Sequence, residues 1–412
     1  MSTTSRLFPQ VPLGILFDLE YGAALPESIR TGSGFPVFGS SGIVGRHSTY
    51  FVEGPGIIVG RKGSVGQISW SSESFWPIDT AYYVVPKEQN SLRWIYWLLS
   101  NTALKRLDAA TGVPGLNRND VYAMQAHRPE PAEQAGIAAV LDTVDEAIAK
   151  TEAVIVKLKQ VRAGLLHDLL THGLDENGQL RDPIAHPEQF QDSPLGRIPR
   201  EWAVLTIEAL LARAPNALRS GPFGSALLKQ ELKESGIPLL GIDNVHIEKF
   251  IADYTRFVDD DKFVELRRYA VRAGDVMITI MGTVGRCCVV PDSIGIALSS
   301  KHVWTISLDR SRYSPHVACW QMNFAPWVLR QFKRDEQGGV MTAIRSETLR
   351  QLLLPVPPLP EMQAIEKMLL QFNKRIGDEE MLLSKLAALK SGLMSDLLTG
   401  RVRVPEGIAV AS

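Results

Sequence analysis

Long apolar runs are missing from this chain: none of its 412 residues lies in an uninterrupted apolar stretch of about eighteen, so no membrane-spanning helix is expected. Residues 1–10 lack the apolar core of a secretory signal, and the reading is of a cytoplasmic protein without a membrane partner. Cysteine is scarce. The three present are the adjacent Cys287 and Cys288 and the separate Cys319, an odd set that argues against a disulfide framework and for buried spectator thiols. Metal-binding spacings are missing too, since none of the eight histidines falls in an H-E-x-x-H pattern and no C-x-x-C occurs.

Catalytic motifs are equally thin. Gly60-Arg-Lys-Gly-Ser64 superficially resembles a phosphate loop, but Gly63 separates Lys62 from Ser64 and breaks the required order. Gly39, Gly42 and Gly45 are spaced as turn glycines and not as a dinucleotide fingerprint. Glu231-Leu-Lys233 and Asp260-Asp-Lys262 have the carboxylate-x-lysine form of some nucleases, without an upstream Pro-Asp pair to support it. No G-x-S-x-G elbow and no amino-methyltransferase motif is found. These omissions point to a chain whose work is binding.

Net charge is small as well, at −1, yet it is unevenly spread. Residues 195–355 carry 21 Lys and Arg against 17 Asp and Glu, residues 1–127 carry 10 against 9, and residues 128–194 carry 6 against 12. Positive charge is held away from the middle segment, which permits nucleic-acid binding without demonstrating it.

What the chain does contain is a copy of itself. Shifted by 228 residues, segment 129–171 lies on 357–399 without a gap, with identities from Pro129/Pro357, Glu133/Glu361 and Ile137/Ile365 to Leu169/Leu397, Leu170/Leu398 and Thr171/Thr399. Both copies read as long helices. The apolar seam of the first is Ile137, Leu141, Val144, Ile148, Ile155, Leu158, Leu165 and Leu169, broken at Thr151 and Arg162. In the second it is Ile365, Leu369, Phe372, Ile376, Leu383, Leu386, Leu393 and Leu397, broken at Glu379 and Lys390. Alternating steps of four and three over about five heptads predict a coiled coil. A stretch of roughly 38 residues would span about 57 Å. In an antiparallel pair Glu379 is expected to face Arg162 and fix the register.

The segments ahead of the helices echo one another. Phe35–Gly39 resembles Ile237–Gly241, Gly54–Gly66 resembles Ala273–Gly285, and Gly112–Val121 resembles Gly339–Leu349. Each mixes short strand-like runs (Gly56–Val59, Tyr82–Val85; Val276–Ile280, Val303–Ile306) with Gly and Pro turns and then helical stretches (Leu92–Leu107, Pro315–Phe332). The expected fold is α+β: a module at 1–128, a long helix at 129–171, a linker at 172–194, a second module at 195–355, a second helix at 356–400 and a tail at 401–412. Gly63-Ser-Val-Gly66 and Gly282-Thr-Val-Gly285 take equivalent places after apolar strands. As a minimum they are tight turns; with Arg61 and Lys62 beside the first, they are also candidates to meet a phosphate or base edge.

Leu195-Gly-x-Ile-Pro-x-x-Trp202, Ser220-Gly-Pro-Phe-Gly-Ser225, Gly241-Ile-Asp-Asn-Val245, the proline run at 354–361 and the doubled Gly-Leu-x-x-Asp-Leu-Leu-Thr ending at 164–171 and 392–399 resemble the specificity subunits of type I restriction–modification enzymes. The resemblance covers nearly the whole chain; Arg128–Gln134 departs from the family's Pro-Pro-Leu-x-Glu pattern, with the following helix intact. It implies that each module is a target recognition domain reading one half of a bipartite site in double-stranded DNA. The helices would pair antiparallel as a ruler and dock two modification subunits. Catalysis, with S-adenosylmethionine, ATP and magnesium, would then lie in those partners and in two restriction (motor–nuclease) subunits. Candidate DNA contacts are the polar residues of the Gly-rich loops, taken to be exposed: Ser40, Ser41, His47, Arg61, Lys62 and Ser64 in the first module, and Arg219, Ser220, Ser225, Asp243, Asn244, Thr283, Lys301 and His302 in the second. Asn117, Arg118 and Arg345, just ahead of the helices, are candidates for backbone phosphate. The competing reading is a coiled-coil scaffold that binds proteins and not DNA.

Overall fold

The computed structural model describes residues 7–107, 115–336 and 344–405. Parts of the matched Gly112–Val121 and Gly339–Leu349 segments, and the end of the 401–412 tail, lie outside the described residues. The chain divides into two compact units, one formed by Met1–Ile155 with Asp378–Ser412 and the other by Val156–Gly377. Each unit therefore holds one module together with a part of each long helix.

The first module is built on a four-stranded antiparallel sheet in the order Phe17–Tyr21, Ala81–Pro86, Gly56–Gly60, Ile68–Ser71. Its central strand explains itself by alternation. Ile57 and Val59 enter a core with Trp94, Ile95, Trp97 and Leu98, while Ile58 points to the other face against Phe38 and Phe75. A three-stranded sheet follows, in which Phe35–Gly39 pairs antiparallel with Gly42–His47 and parallel with Trp76–Pro77. The strand pair Gln10–Pro12 and Gln125–His127 closes the module.

The second module repeats this plan. Its four-stranded sheet runs Leu218–Ser220, Val303–Ile306, Val276–Thr279, Cys287–Val289, again all antiparallel. Val276 and Ile278 face the helix-packed core as Ile57 and Val59 do, and Met277 turns away as Ile58 does. Ile237–Leu240 pairs parallel with Ala297–Ser299, matching the parallel pair of the first module. Ala203–Thr206 and Leu353–Val356 close it. Cys287, Cys288 and Cys319 are free and buried, and burial pushes the thiols of Cys287 and Cys288 up from their ordinary range.

Both expected helical stretches are interrupted. Leu92–Asn101, capped by Ser91 accepting from Trp94 N–H, gives way to a short 3-10 turn at Leu104–Leu107. Pro315–Phe324 stops at Ala325, because Pro326 disfavours helical backbone in the residue before it; Pro326–Glu336 then starts afresh.

The long helices are Pro131–Thr171 and Leu359–Leu397, each with a proline in its first turn, where no donor is lost. Every apolar seam residue is buried or half-buried; Ile137, Leu141, Leu169, Ile365 and Leu369 are sealed completely. Within the first unit Ile137 and Leu141 share a core with Met394, Leu397 and Leu398. Within the second, Leu166, Leu169 and Leu170 share one with Met362, Ile365 and Leu369. The start of each helix thus meets the end of the other, which makes the pair antiparallel.

The polar breaks use a different pairing from the one expected. Arg162 does not wait for Glu379: its Nε donates to Asn373 Oδ1 at 2.5 Å and its Nη2 to Glu248. In the other unit Lys390 donates to Asp145 Oδ1 at 2.5 Å and lies 4.7 Å from the centre of the Trp97 ring. Asn373 and Asp145 are related by the same 228-residue shift as Lys390 and Arg162, so one cross-helix bond is made twice. The reason for the miss is that a heptad count assigns Arg162 to the seam, whereas its long side chain reaches out to a residue of the module.

Segment 172–194, expected as a linker, is folded onto the second helix start. Arg181 Nη1 donates to Glu361 Oε1 at 2.6 Å, Leu174 N–H to the same oxygen at 2.8 Å, and Trp202 Nε1 also at 3.1 Å. Phe190–Ser193 forms a hairpin with Gly196–Pro199. The related Glu133 receives Arg403 Nε and Nη2 at 2.7 and 2.5 Å.

Candidate nucleic-acid interface

In both modules the loop after one strand is brought against the glycine turn after another. Gly60 N–H donates to Gln67 O and Gly66 N–H to Gly60 O; 219 residues on, Thr279 N–H donates to Arg286 O and Gly285 N–H to Thr279 O. Gly63 and Gly66 have φ of +81° and +70°, Gly282 and Gly285 of +70° and +86°, conformations that side chains with a Cβ resist. Across the turn, Ser64 N–H donates to Ser40 Oγ at 3.4 Å in the first module, and Ile242, the counterpart of Ser40, stands over Gly282 in the second. Each sheet also anchors the residue ahead of a short helix: Tyr82 Oη donates to Leu116 O at 3.1 Å, and Trp304 Nε1 to Ile344 O at 2.8 Å.

The two turns differ in how tightly they are held. A Cβ on Gly66 would lie 2.8 Å from the backbone of Leu104 and Lys105, whereas one on Gly285 meets nothing within 4 Å. Gly285→Ala is expected to cost only the left-handed strain, about 1–2 kcal/mol. Gly66→Ala should lose that and a further 1–3 kcal/mol or so from overpacking. Denaturant midpoints of the two variants test this, and equal losses would contradict it.

On the first module the turn opens on a cleft of about 620 Å³ lined by Tyr21, Arg61, Lys62, Tyr82, Asn117 and Arg118, among others. The Arg61 guanidinium carbon sits 4.7 Å from the Tyr21 ring centre, and that of Arg118 sits 5.3 Å from the same ring. Arg61 Nη1 donates to the Asp79 carbonyl at 3.0 Å. Burial and then the neighbouring Tyr21 hydroxyl push the Tyr82 phenol up, so it stays a neutral donor. Asn117 Oδ1 caps the Arg118–Ala123 helix by accepting from Asn119 N–H at 2.9 Å. Ser41, Lys62 and Ser64 are exposed. His47 lies apart in the other sheet, half-buried, edge-on to Trp76 at 5.6 Å. Sequence reading passed over Tyr21, a single aromatic at a strand end; its role depends on two cations distant in sequence.

The second module gathers its polar residues elsewhere. Lys301 and His302 line a cleft of about 270 Å³ with Pro222, Leu228, Arg256 and Ser300. Burial, then the charges of Lys301 and Arg256, pull the His302 imidazole below its ordinary range, leaving it neutral near pH 7. Ser225 and Arg345 are exposed, Thr283 is half-buried, and Asp243 pairs with Arg256.

Three expected surface residues are interior. Arg219 is 8% exposed; its guanidinium donates to Asp275 Oδ2, the Ala270 and Asn216 carbonyls and Ser307 Oγ. Burial pulls that guanidinium below its usual range and Asp275 opposes the shift. Ser220 is buried with its hydroxyl on the Lys301 carbonyl. Asn244 ties its own loop, accepting from Gly241 N–H and donating to the Ile251 and Asp253 carbonyls. A strand and a loop-closing turn need these groups internally satisfied, so polarity here marks structure.

Among the described residues no group of His, Cys, Asp and Glu is placed to hold a metal ion, and no helix is long and apolar enough to cross a membrane.

Residues 9–160 match the type I restriction modification DNA specificity domain. The chain is 22% identical over 310 residues to the type I restriction enzyme MjaVIII specificity subunit of Methanocaldococcus jannaschii, covering 74% of this chain and 68% of that one. It is 22% identical over 326 residues to the EcoBI specificity subunit of Escherichia coli, covering 77% and 66%. The crystal structure of the type I restriction–modification S subunit from M. genitalium superposes over 97% of both chains with a TM-score of 0.63 at 16% identity, a likeness of fold. The first module thus carries the type I restriction modification DNA specificity domain, and the chain as a whole is similar in sequence and in fold to specificity subunits of type I restriction–modification systems.

Proposed function

We propose that the two modules each read one half of an asymmetric, bipartite sequence in double-stranded DNA. The helices set the unread spacer between the halves, and the chain carries no catalysis of its own. The observation that carries this reading is one turn built twice on one scaffold with different side chains: Arg61 and Lys62 in the first module are replaced by Ile280 and Met281 in the second. Two readers of the same construction and different surface suit two different half-sites, where an identical pair would require a palindrome.

The helices are also read as the docking surface for two modification subunits. At positions related by the repeat they expose apolar side chains: Val154 and Leu382, at 39% and 45%, and Val161 and Leu389, at 42% and 50%. Residues that contact solvent twice at matched places fit a partner bound twice. Methyl transfer from S-adenosylmethionine to adenine, and ATP- and magnesium-dependent cleavage by two restriction subunits, belong to those partners.

The test is modification-sensitive sequencing of host DNA with and without the gene. One bipartite methyladenine motif should vanish on deletion, and exchanging segment 195–355 for that of a relative should change one half of the motif only. An unchanged motif despite an expressed modification partner would remove the specificity reading.

A further inference from the structure

The first module carries a cationic clamp that its own fold does not need. Arg61 and Arg118 lie 4.7 and 5.3 Å from the centre of the one Tyr21 ring, with Lys62 exposed beside them. No carboxylate pairs with any of the three among the described residues; the polar partners of Arg61 are the neutral Asp79 carbonyl and Tyr82 hydroxyl. Gathering unpaired cations around one cleft is electrostatically unfavourable unless an anion joins them.

The second module supplies an internal control. By the shifts that align the two turns and the two short helices, Arg61 corresponds to Ile280 and Arg118 to Ser346. Tyr21 faces Tyr82 across its strand pair as Ser220 faces Trp304, so Tyr21 corresponds to Ser220. Ile280 and Ser220 are buried, at 5% and 7% exposed. The same turn, with the same hydrogen bonds, therefore forms without either guanidinium or the ring. Fold stability does not account for the clamp, which leaves a ligand as its reason.

We propose that Arg61, Arg118 and Lys62, held by Tyr21, grip a backbone phosphodiester of duplex DNA. The first module then anchors the complex through this cleft, a contact the second module does not make at the matching place. Tyr21 is a positioning residue: its ring faces both guanidiniums and holds them side by side, so that their donors can converge on one group of oxyanions. This rests on the DNA-reading function above and adds to it which residues contact phosphate and not bases.

The experiment titrates the full chain against a labelled duplex of random sequence at several salt concentrations. Each of Arg61→Gln, Arg118→Gln and Lys62→Gln should flatten the dependence of log K on log salt by about 0.9. Tyr21→Ala, which removes no charge, should weaken binding, and Tyr21→Phe should restore it. In cells, Arg118→Gln should leave the methylated motif unchanged while reducing its occupancy. A relaxed base within the motif would show base reading and overturn the proposal. So would Gln variants that keep the wild-type slope while the wild type binds, a result that leaves the DNA-reading function standing. Should the wild type itself bind no DNA, both fall. Thermal shifts in inorganic phosphate, against chloride of matched ionic strength, address the other source of the same chemistry: no added stabilisation is expected. A phosphate effect that Arg118→Gln abolishes would reassign the cleft to a free oxyanion.

Discussion

Glu361→Ala is expected to destabilise the unit formed by residues 156–377 by about 3–5 kcal/mol, the range for removing one partner of a buried ion pair. Its carboxylate and Arg181 are 8% and 6% exposed, and three elements converge on it: the turn after the first helix through Leu174 N–H, the following segment through Arg181, and the module entrance through Trp202 Nε1. Without the carboxylate, Leu174 N–H and Trp202 Nε1–H lose their acceptor and Arg181 loses two hydrogen bonds, in a place water hardly reaches. Glu133→Ala removes the related carboxylate from the other unit, but its partner Arg403 is 54% exposed, and a loss of no more than about 1 kcal/mol is expected. Equilibrium denaturation with amide exchange at Leu174 distinguishes the two. A Glu361→Ala loss as small as that of Glu133→Ala would show that the buried network is not cooperative.

Arg219→Ala should also cost about 3–5 kcal/mol, because it strands Asp275, a carboxylate only 5% exposed. Asp275 would keep Ser307 Oγ–H and Arg272 N–H as donors, which stops short of neutralising its charge. An Arg219→Met, Asp275→Leu double replacement should recover much of the loss, since apolar side chains of similar volume replace a buried pair at little cost. The residue looks like a DNA contact from its sequence, so the readout matters: reduced DNA binding by Arg219→Ala should track the unfolded fraction and be regained in the double variant. A stable Arg219→Ala protein with altered base preference would instead make Arg219 a reader.

The contrast between Arg219 and Ile137 shows what a sequence can convey. The seam from Ile137 to Leu169 is a local periodicity, and burying one face of a helix needs no knowledge of distant residues. The repeat makes the pairing of the helices and the matched modules legible for the same reason, since each copy checks the other, while the antiparallel sense comes from the family resemblance alone. Arg219 depends on Asp275, 56 residues away, and the polar letters of Leu218–Ser220 look alike whether they face solvent or a buried carboxylate. Tyr21 was invisible because its meaning lies in Arg61 and Arg118, which only the folded module assembles. Arg162 is an intermediate case: its place as a break in the seam was legible, but its partners Asn373 and Glu248 follow from reach and not from heptad position.

One small contact has a topological consequence. Phe8 N–H donates to the Thr399 carbonyl at 3.1 Å, so the strand-bearing start of the first module is laced to the close of the second helix, much as Leu174, just past the first helix, is laced to Glu361. Join residues near 8 and 399 by a short connector, open the chain within 172–194 instead, and every packing contact within each unit has the same partners in a different chain order. Which module comes first in the chain is then a matter of where the chain is opened, and the contacts inside each unit do not depend on it.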